Sequence, residues 1–121
     1  MKKLVSLGEL LMRLSCEDAL RFSQVNNFKV VYGGSEANVL ITAANFGLKT
    51  EFLSVLPENE LGTSAINDLR NSKVGLNHIK FQGKRLGLYF LETGDINRAG
   101  KIIYYRGNSA FSEIDPEWPS L

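Results

Sequence analysis

The residues best placed to do chemistry lie in the run Gly33-Gly34-Ser35-Glu36-Ala37-Asn38, between a β segment and a helix. Paired glycines let a ligand approach the main chain closely. The helix start beyond them offers unpaired N–H groups to an anion or a hydroxyl. Asn38 carries both a donor and acceptors, which suits a polyol. The same run serves equally as a plain strand-to-helix turn with Asn38 on a wet face. It is not a phosphate-binding P-loop, because no Gly-Lys-Ser/Thr follows, and the dinucleotide fingerprint lacks its third glycine. A second group, Tyr89, Tyr104 and Arg106, falls on two later β runs. Ordinary strand packing accounts equally well for the tyrosines, and a solvated strand end for the arginine. His78 has no partner constellation nearby and reads as a surface or interface residue rather than a catalyst. Cys16 reads as a small buried side chain or a lid residue. Glu58, Glu60 and Asp68 read as a solvated helix face, not a metal site.

The elements that must hold these residues follow from pattern. Leu4–Leu7 is a strand, followed by Gly8-Glu9, and Leu11–Ser15 is a second short strand. Glu17–Asn27 is polar and irregular, and Phe28–Tyr32 is a β segment that stops at the glycine pair. Ser35–Phe46 carries Ala37, Leu40, Ile41, Ala44 and Leu48 at helical spacing, with Ser35 as N-cap and Gly47 ending the helix in a left-handed turn. Glu51–Leu56 is a strand closed by Pro57. Asn59–Ser72 is a second helix, whose Leu61, Ala65 and Leu69 share a face, and Asn77–Phe81 is a further short strand. This alternation is that of a parallel sheet. Leu86–Glu92 and Lys101–Tyr105 then form a hairpin with a polar loop. Asp115–Leu121 has no strong closing element. Two helices cannot cover both faces of a parallel sheet, so the chain reads as part of a larger α/β domain.

Composition narrows the function classes. The chain has 121 residues, with 14 Lys and Arg against 13 Asp and Glu, a net charge of +1. No field of either sign is present to steer nucleic acid or an anionic membrane. The uncharged stretch Ala37–Leu48 is too short and too polar to span a bilayer. One cysteine forms no internal disulfide, and one histidine excludes a Cys/His zinc cage. A cytoplasmic location is the expectation. A compact chain of this mass has roughly 6,500 Å² of accessible surface, enough for one modest core.

Taken together, Gly8-Glu9 after the first strand, Gly33-Gly34-x-x-x-Asn38, Gly47 and the stretch from Thr50 to Gly62 resemble the N-terminal signature of the ribokinase-like (PfkB) carbohydrate kinases. The resemblance spans nearly the whole chain. It implies the N-terminal part of a three-layer αβα, Rossmann-like fold with a small β-sheet lid. Core strands and helices would occupy about 1–12 and 33–82, and the lid about 13–32 and 84–106. Gly87-Leu88-Tyr89-Phe90 and Tyr104-Tyr105-Arg106-Gly107-Asn108-Ser109-Ala110 resemble the 2-dehydro-3-deoxygluconokinases within that family. By that resemblance Gly34, Ser35, Asn38, Tyr89, Tyr104 and Arg106 contact a sugar acid. An arginine fork suits its carboxylate, and tyrosines suit its hydroxyls and deoxygenated carbon. Arg13 stands near where relatives acting on neutral sugars often carry a sugar-binding aspartate, which argues for an acid substrate.

In this family the ATP site, the anion hole and the catalytic base lie in the C-terminal half, marked by Gly-x-Gly-Asp. This chain contains no such stretch. The resemblance therefore implies a sugar kinase that uses ATP and Mg²⁺ when intact, with no catalytic or metal-binding residue in this chain and no cofactor expected to bind the chain alone. The implied reaction phosphorylates the 6-hydroxyl of 2-dehydro-3-deoxy-D-gluconate. A fructokinase or another PfkB sugar kinase is the alternative within the class. A non-catalytic sugar-binding or dimerisation module is the alternative outside it. Implied partners are a small sugar acid and a second copy paired through the β lid, with no nucleic acid and no membrane.

Overall fold

The computed structural model describes residues 2–114. Seven strands and two α-helices alternate along them in the order β1 (Lys3–Leu7), β2 (Leu11–Ser15), β3 (Lys29–Gly33), α1 (Ser35–Asn45), β4 (Lys49–Leu56), α2 (Glu60–Arg70), β5 (Gly75–Phe81), β6 (Leu88–Glu92) and β7 (Lys101–Tyr105). Asp115–Leu121, where the sequence offers no strong closing element, lies outside the described residues.

The strands form two sheets. One is parallel throughout, in the order β1-β4-β5. The other is mixed, in the order β3-β2-β6-β7. In it, two antiparallel hairpins lie side by side, joined by parallel pairing of β2 with β6. The chain changes sheet over Gly8–Leu10. Gly8 N–H still donates to Leu53 O at 3.1 Å in the parallel sheet, whereas Met12 N–H donates to Gly87 O at 3.0 Å in the mixed one. The fold is thus α/β, as the alternation implies. The parallel pairing of β2 with β6 joins segments some 75 residues apart, which no local pattern specifies.

Both helices feed one apolar core. Ala37, Leu40 and Ala44 of α1 and Ala65, Ile66 and Leu69 of α2 belong to one buried cluster with Phe52 and Leu56 of β4. β4 is buried from Thr50 to Leu56, the near-continuous burial typical of a central parallel strand. Two positions depart from the helical pattern. Leu48 is 57% exposed, because Gly47, at φ +89°, has already turned the chain out of the helix. Gly47 N–H bonds Ala44 O and Leu48 N–H bonds Ala43 O, the paired closure of a glycine-terminated helix. Leu61 is exposed, and the buried stripe of α2 is Gly62, Ala65, Ile66 and Leu69. Gly62 takes Leu61's expected place because any Cβ there would strike the Pro57 carbonyl. Asn59 caps α2, accepting from Leu61 and Gly62 N–H, both at 3.1 Å, and donating to Lys84 O at 2.7 Å. A cap of this kind is worth about 1 kcal/mol.

The accessible surface is 7837 Å², well above the value for a compact chain of this mass. Exposed apolar side chains lie along β1 (Leu4, Val5, Leu7), beside α1 (Val39, Phe46, Leu48) and along β7 (Ile102, Ile103, Tyr105). No helix among the described residues is long and apolar enough to cross a membrane.

Candidate functional site

The start of α1 and the mixed sheet border a cavity of about 380 Å³ lined by Glu9, Leu11, Gly34, Ser35, Glu36, Asn38, Tyr89, Tyr104 and Arg106. All six residues singled out in the sequence (Gly34, Ser35, Asn38, Tyr89, Tyr104 and Arg106) line it. The start of α1 supplies the first three from one side, and the β6–β7 hairpin supplies the others from the opposite side.

The α1 wall differs from expectation in one respect. Gly34, not Ser35, is the N-cap, with an extended backbone and no side-chain cap, and Ser35 is the first helical residue. The reason is steric. A Cβ on Gly34 would strike the carbonyl of Glu9, so only glycine lets the turn settle against the β1–β2 crossing. Ser35 is thereby freed from capping and faces the cavity. Among the described residues neither its hydroxyl nor the Asn38 amide has a hydrogen-bond partner, so both are available to a ligand.

On the hairpin side, Tyr89 and Tyr104 are directly paired across β6 and β7, with ring centroids 5.7 Å apart. The Arg106 guanidinium carbon stands 5.8 Å from the Tyr104 ring centre, within cation–π range. Arg106 is not a free strand end. Its Nε and Nη2 both donate to Glu9 Oε1, at 3.1 and 2.9 Å. The Ser109 hydroxyl donates to Glu9 Oε2 at 2.8 Å. Sequence reasoning noted Glu9 only as part of a family-like turn and gave it no role. Its partners lie 97 and 100 residues away, beyond the reach of a spacing argument.

The cavity's charge is therefore arranged in two parts. Glu9 and Arg106 offset one another. Glu36, on the first turn of α1, lies against Gly8 and keeps a carboxylate with no hydrogen-bond partner among the described residues. Arg106 retains its Nη1 group and the second Nη2 hydrogen for a ligand. An anionic group is favoured there and repelled beside Glu36.

The other candidates fall elsewhere. His78 is half exposed and its Nδ1 lies 2.8 Å from Oε1 of buried Glu51 in the parallel sheet, away from the cavity. Cys16 is buried at the end of β2, where its N–H donates to Leu91 O at 2.9 Å. Burial pushes its thiol pKa up, nearby Glu92 adds to the rise, and Arg98 opposes it. Arg13 pairs in register with Tyr89, and its Nε is buried without a partner. Among the described residues no three His, Cys, Asp or Glu side chains gather to hold a metal ion.

Comparison with known proteins decides the family. Residues 1–118 match the sequence model of the pfkB family carbohydrate kinases. The chain belongs to that family. It is 31% identical over 119 residues to a 2-dehydro-3-deoxygluconokinase of Thermoproteus tenax, covering 97% of this chain and 37% of that protein. It is 30% identical over 115 residues to a 2-dehydro-3-deoxygalactonokinase of Haloferax volcanii, covering 95% and 36%. The crystal structure of a 2-dehydro-3-deoxygluconokinase from Thermotoga maritima superposes with a TM-score of 0.91 at 43% identity, over 95% of this chain and 35% of that one. A fructokinase from Xylella fastidiosa, 19% identical with a TM-score of 0.78, shares the fold. This pfkB family chain thus spans little more than a third of the length of the relatives it matches.

Proposed function

We propose that this chain is the sugar-binding portion of a kinase that phosphorylates the 6-hydroxyl of 2-dehydro-3-deoxy-D-gluconate. One observation carries the reading: a single cavity gathers a guanidinium backed by two tyrosines on its hairpin wall and, at the start of α1, a carboxylate, a hydroxyl and an amide without hydrogen-bond partners among the described residues. That polarity suits a sugar acid and orients it. The substrate carboxylate goes to the outer edge of Arg106. Its 3-deoxy carbon lies against the Tyr89 and Tyr104 rings. Its hydroxyls go to Ser35, Asn38 and Glu36, with the Gly34 main chain close behind them. The two sequence relatives and the Thermotoga maritima structure named above act, by their names, on dehydro-deoxy sugar acids, which supports an acid over a neutral sugar.

In this reading ATP and Mg²⁺ serve the intact enzyme and are held by residues other than those lining this cavity. Among the described residues, the cavity lining holds no phosphate-binding glycine loop and no cluster of three metal-ligating side chains, so it does not fit that group. What these residues do is bind, orient and desolvate the acceptor, which lowers the entropy cost of transfer. The mixed sheet acts as the lid. Its edge strand β7, with Ile102, Ile103 and Tyr105 exposed, suits pairing with a second copy. The lone cysteine suits the reducing cytoplasm.

The test is a substrate panel on the full-length protein with ATP and Mg²⁺: 2-dehydro-3-deoxygluconate, its galactonate epimer, 5-dehydro-2-deoxygluconate, fructose and ribose. The reading predicts kcat/KM for 2-dehydro-3-deoxygluconate at least about 100-fold above either neutral sugar, about 2.8 kcal/mol of discrimination. Preference for fructose or ribose refutes it.

A further inference from the structure

Glu9 is 8% exposed and sits where four chain segments converge. Its own segment is the crossing from the parallel sheet to the mixed sheet. Its carbonyl is the surface on which Gly34 rests, and its carboxylate is the surface on which Gly87 rests, since a Cβ on either glycine would collide with it. Its two carboxylate oxygens are divided between Arg106 and Ser109. Ser109 is itself 1% exposed, its hydroxyl oxygen accepts from Ser112 N–H at 3.2 Å and its carbonyl accepts from the Ser112 hydroxyl at 2.7 Å, so Oε2 is bonded to a buried, internally hydrogen-bonded turn.

We propose that Glu9 is a positioning residue for substrate recognition. It engages the Nε/Nη2 edge of Arg106 and thereby presents the opposite, Nη1/Nη2 edge to the cavity, in fixed register with the start of α1. Three features carry this. First, a carboxylate this buried needs full satisfaction, and Arg106 with Ser109 supplies it. Second, an arginine side chain otherwise loses considerable rotamer freedom on binding, and prior clamping removes that cost. Third, the same residue touches both walls of the cavity. The spacing between the Arg106 edge and the Gly34 turn, hence the length of acceptor that fits, is set through Glu9. The inference rests on Arg106 being a substrate contact, as proposed above.

A double-mutant cycle on the full-length protein tests it, using whichever panel sugar is turned over best. Glu9→Gln keeps the shape and removes the charge. It is expected to raise KM about tenfold with kcat changed less than about twofold, since the clamp acts on binding. In an Arg106→Gln background the same change should move KM less than about twofold, because the group it positions is gone. A general structural role would lower stability and activity equally in both backgrounds. Glu9→Asp, one methylene shorter, should recover part of the loss. If Glu9→Gln does not accumulate, Ser109→Ala releases Oε2 alone and is read in the same way. A KM rise that is the same with and without Arg106, or no KM rise at all, overturns the proposal. If Arg106→Gln alone leaves KM unchanged, the substrate contact fails and the proposal with it. If Arg106→Gln raises KM and the Glu9 effect is additive, the contact stands and only the positioning role falls.

Discussion

An Arg106→Ala variant of the full-length protein is expected to show a KM for 2-dehydro-3-deoxygluconate about 100-fold higher than the parent, with a smaller change in kcat. The size follows from two losses. A charge-assisted hydrogen bond to a carboxylate contributes about 1.5–3 kcal/mol. Removing Arg106 also leaves Glu9 buried with only Ser109 as donor, an uncompensated carboxylate beside the binding surface. Each 1.4 kcal/mol is a tenfold change in affinity, so a combined loss near about 3 kcal/mol gives the stated factor. Arg106→Lys should recover little. An ammonium holds one charge but cannot engage Glu9 along one edge and a substrate along the other. Steady-state kinetics with the nucleotide saturating reads both values, and an unchanged KM contradicts the assignment.

Gly34→Val should be the more damaging change, and for a different reason. The Gly34 backbone is extended, so no left-handed strain is involved. The obstacle is the Glu9 carbonyl, which lies where a Cβ would go. The β3–α1 turn must then withdraw from the β1–β2 crossing and carry Ser35 and Asn38 with it. Displacements of about 1 Å at a positioned substrate cost about 100-fold in rate, and overpacking of this kind costs about 1–3 kcal/mol of stability. The neighbouring Gly33 is the internal control. A Cβ there meets only the Asn38 amide, at 3.6 Å, an ordinary contact. Gly33→Ala should therefore change kcat/KM by less than about threefold, within the range of tolerated surface changes. Equal damage from both substitutions, read by kinetics and thermal unfolding together, would contradict this account of the turn.

What was legible in the sequence, and what was not, divides by range. α1 and its stop are local. Ala37, Leu40 and Ala44 fix the buried stripe and Gly47 fixes the end, and these appear as expected. The six cavity residues are legible because a family pattern carries long-range information that spacing alone lacks. The errors are steric or topological. Ser35 looked like a cap by type, but contact with Glu9 places glycine at that position. Leu61 looked buried by periodicity, but close approach to Pro57 turns Gly62 inward instead. Glu9 carried no visible role. A carboxylate after a first strand is unremarkable until β2 is paired with β6 and the end of β7 is thereby brought over it. Glu51 is likewise only a strand residue by pattern, and its burial against His78 depends on the β4–β5 register.

The most direct test of the central claim is a crystal structure of the full-length protein with 2-dehydro-3-deoxygluconate bound. The account predicts the substrate carboxylate within about 3 Å of the Nη1/Nη2 edge of Arg106. Arg106 should still be bonded to Glu9, the tyrosine rings should lie along the deoxygenated carbon, and the terminal hydroxyl should be directed away from Arg106. A carboxylate bound beside Ser35 and Asn38, or a sugar seated outside this cavity, would contradict it.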